Sequence, residues 1–339
     1  KDKLYITYAS KEARLQQGMA LIALDGTPIL ELVDRHKREL QLRGDTAERE
    51  IWESVILKYN NCTVIDKIGR TFEMNSALYD ADEYVPEYSL KINDDGILIM
   101  KLTDFNNTDA IIKLLSENQE LLEISKNLII DVRLNKGGSD SAFMKLLRYI
   151  FPRETNLNDL DDGSIMQLYM SERNYKLRMD SFTQYLQSLS DPAAISFMNT
   201  FIRELEKHKD IIGLVEIDLK DAIPDMIIKG QKNPENIVVL ADLYCGSSGD
   251  AFVETAALSD KVTIIGRGTA GITDYSNLAV QEWSNTFALM YPTSRSGKID
   301  SGKGLAGKGI QPDIYIPWTS EHTERDIDLE KTIEYLLSK

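Results

Sequence analysis

The fold of this chain is decided by the stretch Ile237-Val-Val-Leu-Ala-Asp-Leu-Tyr-Cys-Gly-Ser-Ser-Gly-Asp-Ala-Phe-Val-Glu-Thr-Ala-Ala-Leu258. An apolar run typical of a strand leads into a Gly-Ser-Ser-Gly turn, and a helical pattern follows. A strand, turn and helix in this order would present a serine hydroxyl at a helix N-terminus, where unpaired backbone N–H groups can stabilise an oxyanion. The pattern therefore makes Ser247 a candidate catalytic nucleophile.

A second interpretation of Ser247 stays open at this point. Ser247-x-x-Asp250 fits a capping box in which Asp stands in place of the usual Glu. Helix N-caps are common and nucleophiles are rare, so the local pattern alone favours the cap.

Composition and charge narrow the class of protein. A chain of 339 residues is long enough for about two domains. The net charge of -15 and the pI near 4.8 argue against a nucleic-acid or anionic-membrane partner. No apolar run approaches the ~20 residues that a membrane helix requires, so we expect no transmembrane segment in this chain. The chain begins at Lys1 without a signal-type apolar segment, so we expect a mature or trimmed form from which any targeting peptide has been removed.

Cysteine and histidine leave little room for metal or imidazole chemistry. Cys62 and Cys245 are too few for a disulfide framework or a zinc site. His36 and His208 lie in charge runs typical of solvated helix faces, and His322 lies near the C-terminal helix. A histidine-based triad and a metal site are therefore disfavoured.

The pattern along the chain predicts three regions. Residues 1–86 contain a strand, a hairpin turn at Asp25-Gly26 and the start of a second strand within 18–29, then a polar helix over 31–58. Strands at 62–66 and 70–74 follow, and the region ends in a linker. Residues 87–339 form the core, with strands at 97–102, 128–132, 237–240, 262–265 and 287–291 and helices over 109–125, 143–150 and 328–337. A mostly helical insertion interrupts the core at about 151–234.

Three separated motifs carry a family resemblance. They are Leu128-Ile-Ile-Asp-Val-Arg-Leu-Asn-Lys-Gly-Gly138, the Gly246-Ser-Ser-Gly-Asp250 turn, and Gly307-Lys-Gly-Ile-Gln-Pro-Asp-Ile314, joined by Gly266-Arg-Gly-Thr-Ala-Gly271. In order and approximate spacing they resemble the C-terminal processing peptidase and tricorn family of serine peptidases. The resemblance covers about residues 88–320, and residues 10–75 resemble more loosely the family's PDZ-like domain.

The resemblance implies an α+β fold, with a core like the ββα-spiral of the Clp-protease and crotonase superfamily behind a small PDZ-like domain. It implies a serine endopeptidase that cleaves polypeptides through an acyl-enzyme on Ser247, with no cofactor and in an extracytoplasmic setting. The oxyanion donors would be the backbone N–H of Ser248 and that of Gly137 or Gly138, because glycines let the backbone approach a substrate carbonyl closely.

The general base is where this sequence departs from the family pattern. The processing branch places a lysine directly after the Gly-x-x-Thr-x-Gly turn, and that position here is Ile272. The tricorn-like branch places a histidine on the strand before the Asn-x-Gly-Gly motif, and the matching residue here is Lys101. Burial would have to lower its pKa from ~10.4 for it to act as a base. The alternative is an ordinary strand lysine with a packed stem and a hydrated ammonium. Lys303 and Asp274 are lesser candidates.

A missing base leaves two other functions to consider. A degenerate family member could bind peptides or apolar ligands without cleaving them, although the loss of a base costs ~10²–10⁴ in rate and leaves weak activity. A crotonase-like enzyme ranks last, because the sequence contains nothing that resembles a CoA-binding signature.

Overall fold

The computed structural model describes residues 2–41, 44, 46–80, 82–160, 165–189, 192–217, 225–284 and 286–339. The chain divides into two compact units. The first unit comprises Lys1–Pro152, Gln231–Gly271 and Ala306–Lys339, and the second comprises Arg153–Gly230 and Ile272–Leu305. Across the described ranges, none of the helices has both the length and the apolarity that a membrane span requires.

Strands and helices alternate through most of the described chain, which makes this a mixed α/β protein. The strands are β1 (Leu4–Tyr5), β2 (Ala20–Leu24), β3 (Thr27–Pro28), β4 (Asn61–Ile65), β5 (Thr71–Asn75), β6 (Tyr88–Ile92), β7 (Leu98–Leu102), β8 (Asn127–Asp131), β9 (Thr155–Asn156), β10 (Met166–Met170), β11 (Gly213–Glu216), β12 (Ile227–Ile228), β13 (Asn236–Ala241), β14 (Val262–Gly266), β15 (Tyr275–Ser284), β16 (Phe287–Ser296) and β17 (Ile314–Tyr315). The helices are α1 (Ile29–Arg35), α2 (Lys37–Leu40), α3 (Glu53–Ile56), α4 (Thr108–Glu117), α5 (Gln119–Ile124), α6 (Asp140–Met144), α7 (Leu147–Ile150), α8 (Glu172–Ser188), α9 (Pro192–Lys207), α10 (Ser248–Ala256) and α11 (Ile327–Leu337).

A six-stranded sheet organises the first unit. Its strand order is β17-β14-β13-β8-β7-β6, with all neighbours parallel except the antiparallel pair β6 and β7. Strands β8 and β13 lie in its interior and are almost wholly buried, which explains why they read as continuous apolar runs rather than as alternating patterns. Because parallel strands end at the same edge of a sheet, the loops after β7, β8 and β13 meet there.

The first unit also contains a smaller sheet made from the N-terminal strands. Strands β1, β2, β4 and β5 pair in that order, and β3 pairs with β2. Asp25 and Gly26 join β2 to β3 with positive φ at both residues, which confirms the predicted Asp-Gly hairpin turn. The single polar helix predicted over 31–58 is wrong: the described part of this segment holds α1, α2, a 3-10 turn at Ala47–Arg49 and α3.

The second unit contains a four-stranded antiparallel sheet of order β11-β10-β16-β15 and the short pair of β9 with β12. Helices α8 and α9 pack on the sheet through an apolar cluster that includes Leu168, Met170, Phe182, Phe201 and Leu205. The segment predicted as a mostly helical insertion thus holds both helices and strands. Strand β10 pairs with β16, which lies more than a hundred residues later in the sequence. Local sequence patterns therefore do not predict this sheet.

Ion pairs, buried at Asp328 and partly exposed at Asp326, connect the start of the C-terminal helix to residues just after β8 and β14. Arg267 donates to the Asp328 carboxylate, with Nη1 at 2.9 Å from Oδ1, and His322 Nε2 lies 3.1 Å from the same oxygen. Arg133 Nη1 donates to Asp326 at 2.7 Å. Burial opposes ionisation of Asp328, but the Arg267 guanidinium outweighs it, so the pKa of Asp328 lies below its usual value.

This network predicts a loss of stability in acid. Because the folded-state pKa of Asp328 is lowered, its contribution is present above the unfolded pKa of about 3.9 and is lost as the pH falls through the lower folded value. Asp328→Asn should lower the free energy of unfolding by about 3–5 kcal/mol at pH 7, since it leaves the Arg267 charge buried and unpaired. Chemical denaturation at pH 7 and pH 3 measures both effects.

The control is Asp300→Asn, which removes the exposed partner of Arg295. It should cost no more than about 1 kcal/mol, because exposed ion pairs contribute little. Equal losses for Asp328→Asn and Asp300→Asn would contradict this account of the network.

Candidate active site

Ser247 occupies a strained turn between β13 and α10. Its backbone has φ 57° and ψ -122°, a conformation that residues other than glycine rarely adopt. Ser247 is exposed, whereas its neighbours Gly246 and Ser248 are buried. A helix N-cap ordinarily has extended backbone, so capping alone does not account for this geometry. A sharp strand-to-helix turn that exposes a serine is the arrangement of a nucleophile elbow.

The side chain of Asp250 stabilises this turn through hydrogen bonds to the backbone. Its carboxylate is fully buried; Oδ2 accepts from Ser247 N at 3.1 Å and Oδ1 accepts from Gly271 N at 2.9 Å. Ser247 and Asp250 therefore form the predicted capping box. The capping and nucleophile interpretations are compatible, because the capping carboxylate binds the backbone of Ser247 at the turn while the residue is exposed.

Asn135 joins three backbone segments at the site. Its side chain is fully buried; Nδ2 donates to Leu102 O at 2.9 Å and Oδ1 accepts from Gly137 N at 2.9 Å. Its backbone carbonyl accepts from Gly246 N at 2.9 Å. One residue thus fixes the end of β7, the glycine pair and the turn that carries Ser247 relative to one another.

The two glycines of this turn differ in what their N–H groups do. Gly137 N is engaged by Asn135, whereas no hydrogen bond from Gly138 N or Ser248 N is found among the described residues. Ser248 Oγ donates to Gly138 O at 2.8 Å, which holds the two segments together. Of the three backbone N–H groups named from the sequence, Gly137 N is thus engaged within the protein, whereas those of Gly138 and Ser248 make no hydrogen bond among the described residues.

Gly137 has no space for a side chain. A Cβ on Gly137 would lie 2.6 Å from Ser247 Cβ and 2.9 Å from Ser248 N, and its φ of +89° already disfavours other residues. The absence of a side chain at Gly137 therefore lets the glycine turn pack closely against the turn that carries Ser247.

A loop at residues 266–271 closes the other side of the Ser247 turn. Ala270 N donates to Cys245 O at 2.7 Å. The Arg49 guanidinium donates to the carbonyls of Gly268, Thr269 and Ala270 at 3.1, 2.8 and 2.9 Å. Sequence reasoning missed Arg49, because more than two hundred residues separate it from these acceptors. Cys245 is fully buried, and burial raises the pKa of its thiol well above its usual value, which disfavours a reactive thiolate.

Lys101 lies in β7, as the sequence predicts, but its ammonium forms an ion pair with Glu87. Nζ lies 2.8 Å from Glu87 Oε2, and the lysine side chain is 39% exposed. The hydrogen bond from Lys101 lowers the pKa of Glu87. The burial that a lysine base requires is therefore absent in this structure.

The lesser base candidates lie in the second unit. The Asp274 carboxylate is buried, and its two oxygens accept from Leu305 N at 2.9 and 2.7 Å. Lys303 is exposed and its backbone N–H donates to Lys298 O. Ile272, at the position where the processing branch has lysine, is half exposed.

The sequence model of peptidase family S41 matches residues 96–316 of this chain. Among solved structures, mature CPAF is similar over 98% of this chain and 78% of its own, with 16% identity and a TM-score of 0.62. Mature CPAF complexed with lactacystin is similar over 99% and 79%, with 16% identity and a TM-score of 0.60. At this identity the likeness concerns the fold. No curated protein matches the chain by sequence.

The tight packing at Gly137 predicts the effect of a single methyl group. Gly137→Ala should slow labelling of Ser247 by a fluorophosphonate at least about 100-fold, because displacements near 1 Å at a reacting centre have that effect. Gly69→Ala is the matched control, since Gly69 has φ +86° but nothing within 4 Å of an added Cβ. Equal labelling of the two variants would show that the contact with Ser247 is unimportant.

The ion pair of Lys101 predicts a mild phenotype for its loss. Lys101→Met and Glu87→Gln should each change the labelling rate of Ser247 by no more than about fivefold, as expected for an exposed ion pair of about 0–1 kcal/mol. A rate loss of ~10²–10⁴ in Lys101→Met alone would instead identify Lys101 as the general base.

Proposed function

Because this chain belongs to peptidase family S41 and is a serine peptidase, we propose that it cleaves polypeptides through an acyl-enzyme on Ser247. The observation that carries this assignment is the exposed Ser247 at φ 57°, on the turn from β13 into α10. Backbone strain of this kind costs about 1–3 kcal/mol and persists where the surrounding structure imposes it, most often at active sites. The binding-only alternative is not favoured, because the family match covers all three motifs.

In the proposed reaction, Ser247 Oγ forms a bond to the carbon of the scissile carbonyl, and the carbonyl electron pair moves onto oxygen. Gly138 N–H and Ser248 N–H donate to this oxyanion; each such donor lowers the barrier by about 2.7–4 kcal/mol. Collapse of the intermediate breaks the C–N bond, and the leaving amine takes the proton that the base removed from Ser247 Oγ. Water then hydrolyses the ester, which releases the acid and restores the Ser247 hydroxyl. In the first step a neutral base takes the proton of Ser247 Oγ. Lys101 could take this role only if its Nζ left Glu87 and lost its own proton.

The same family relationship supports a finer description of the fold. We propose that the six-stranded sheet with α10 and α11 is a ββα-spiral core of the Clp-protease and crotonase type. The five short strands β1–β5 with α1 are proposed as a PDZ-like domain. The parallel order β14-β13-β8-β7 and the antiparallel order β1-β2-β4-β5 support these two assignments.

The assignment of Ser247 predicts a specific labelling pattern. A fluorophosphonate should add one phosphonyl group to the native chain, and Ser247→Ala should abolish both this labelling and peptide hydrolysis. Ser248→Ala keeps its backbone N–H and loses only the hydrogen bond to Gly138 O, so it should label within about fivefold of the native rate, the effect of about 1 kcal/mol. Mass spectrometry locates the adduct, and an adduct that persists in Ser247→Ala would contradict the proposal.

A further inference from the structure

A buried carboxylate outside the residues assigned so far lies beside the glycine turn. Asp104 is only 1% exposed and follows the end of β7. Tyr84 OH donates to its Oδ2 at 2.8 Å, while Tyr88 OH and Asn106 N donate to its Oδ1, the latter at 2.9 Å. Three donors satisfy the carboxylate at a site where no cation pairs with it among the described residues.

The charge states of this cluster are well defined. Burial acts to raise the pKa of Asp104, but the hydrogen bonds from Tyr88, Asn106 N and Tyr84 outweigh it and lower the pKa. Burial and the neighbouring carboxylate raise the pKa of Tyr88. Asp104 is thus an anion that accepts charge-assisted hydrogen bonds from two phenols, and such bonds are stronger than those between neutral groups.

The Asp104 cluster fixes the Phe105–Asn106 backbone, which packs directly against Gly138. Phe105 N donates to Gly137 O at 2.8 Å and Ser139 N donates to Phe105 O at 3.0 Å, so Phe105 pairs with the turn on both sides of Gly138. A Cβ on Gly138 would lie 2.3 Å from Phe105 C and 2.7 Å from Asn106 N. Asn106 N is the group that Asp104 binds.

We propose that Asp104, held by Tyr84 and Tyr88, is a positioning residue for peptide cleavage: it fixes the Phe105–Asn106 backbone and thereby aims Gly138 N–H at the oxyanion. This inference rests on the proposed function of Ser247. The bond pattern supports it: pairing of Gly137 O and Ser139 N with Phe105 leaves the intervening Gly138 N–H directed away from this contact. A shift of the Phe105–Asn106 peptide would turn that N–H away from the oxyanion without altering Ser247.

The experiment compares Tyr88→Phe and Asp104→Asn with the native enzyme. Each variant should lower kcat for peptide hydrolysis about 10- to 100-fold, as expected for misalignment of an oxyanion donor. KM should stay within about twofold, since the donor acts mainly in the transition state. Tyr335→Phe is the control, because it removes a comparable phenol contact, to Thr263 Oγ1 at 3.0 Å, at the far end of α11.

Thermal unfolding measured in parallel separates positioning from general stability. A native kcat in Tyr88→Phe, with or without a lower Tm, would overturn the positioning role. If Asp104→Asn fails to fold, the kcat of Tyr88→Phe alone tests that role. Ser247→Ala in the same assay separates the two proposals. Full hydrolysis by Ser247→Ala would overturn both, whereas an inactive Ser247→Ala beside a fully active Tyr88→Phe would overturn only the role of Asp104.

Discussion

The geometry of the candidate site depends on the buried carboxamide of Asn135. Its two ends bind Leu102 O and Gly137 N, and its backbone carbonyl binds Gly246 N. An unsatisfied buried amide costs about 1–3 kcal/mol, so the three segments are held at separations that satisfy all of these groups together. The parallel sheet brings the segments to one edge, and Asn135 sets their relative positions there.

The engagement of Gly137 N gives the glycine pair two separate tasks. Gly137 has no side chain that would collide with Ser247, and its N–H donates to Asn135 Oδ1. The N–H of Gly138 makes no hydrogen bond among the described residues. The strain at Ser247 is sustained by Asp250, whose carboxylate binds both Ser247 N and Gly271 N. Buried polar contacts of this kind work cooperatively and make the turn at Ser247 rigid.

The sequence predicts those features that local pattern determines. Strands β7, β8, β13 and β14 and helix α11 lie within two residues of their predicted bounds, because apolar runs between turn residues determine them. The predicted helix over 109–125 is divided into α4 and α5 at Asn118, whose side chain binds Leu114 O instead of continuing the helical pattern. Strand β10 escaped prediction because its partner β16 is distant in sequence.

The same distinction applies to the site. Ser247 and the glycine pair are visible in the sequence because turns and motifs are local. The contacts of Lys101 with Glu87 and of Arg49 with the loop at 268–270 depend on tertiary structure, which spacing does not encode. The engagement of Gly137 N likewise depends on the position of the Asn135 side chain, which the motif does not reveal.

The most direct test of this account is a crystal structure of the enzyme with a peptide boronic acid, which mimics the tetrahedral intermediate. The account predicts boron bonded to Ser247 Oγ and one boronate oxygen about 2.7–3.1 Å from both Gly138 N and Ser248 N. Gly137 N should keep its hydrogen bond to Asn135 Oδ1. Boron on another side chain, or an oxygen that receives its hydrogen bond from Gly137 N instead of Gly138 N, would contradict it.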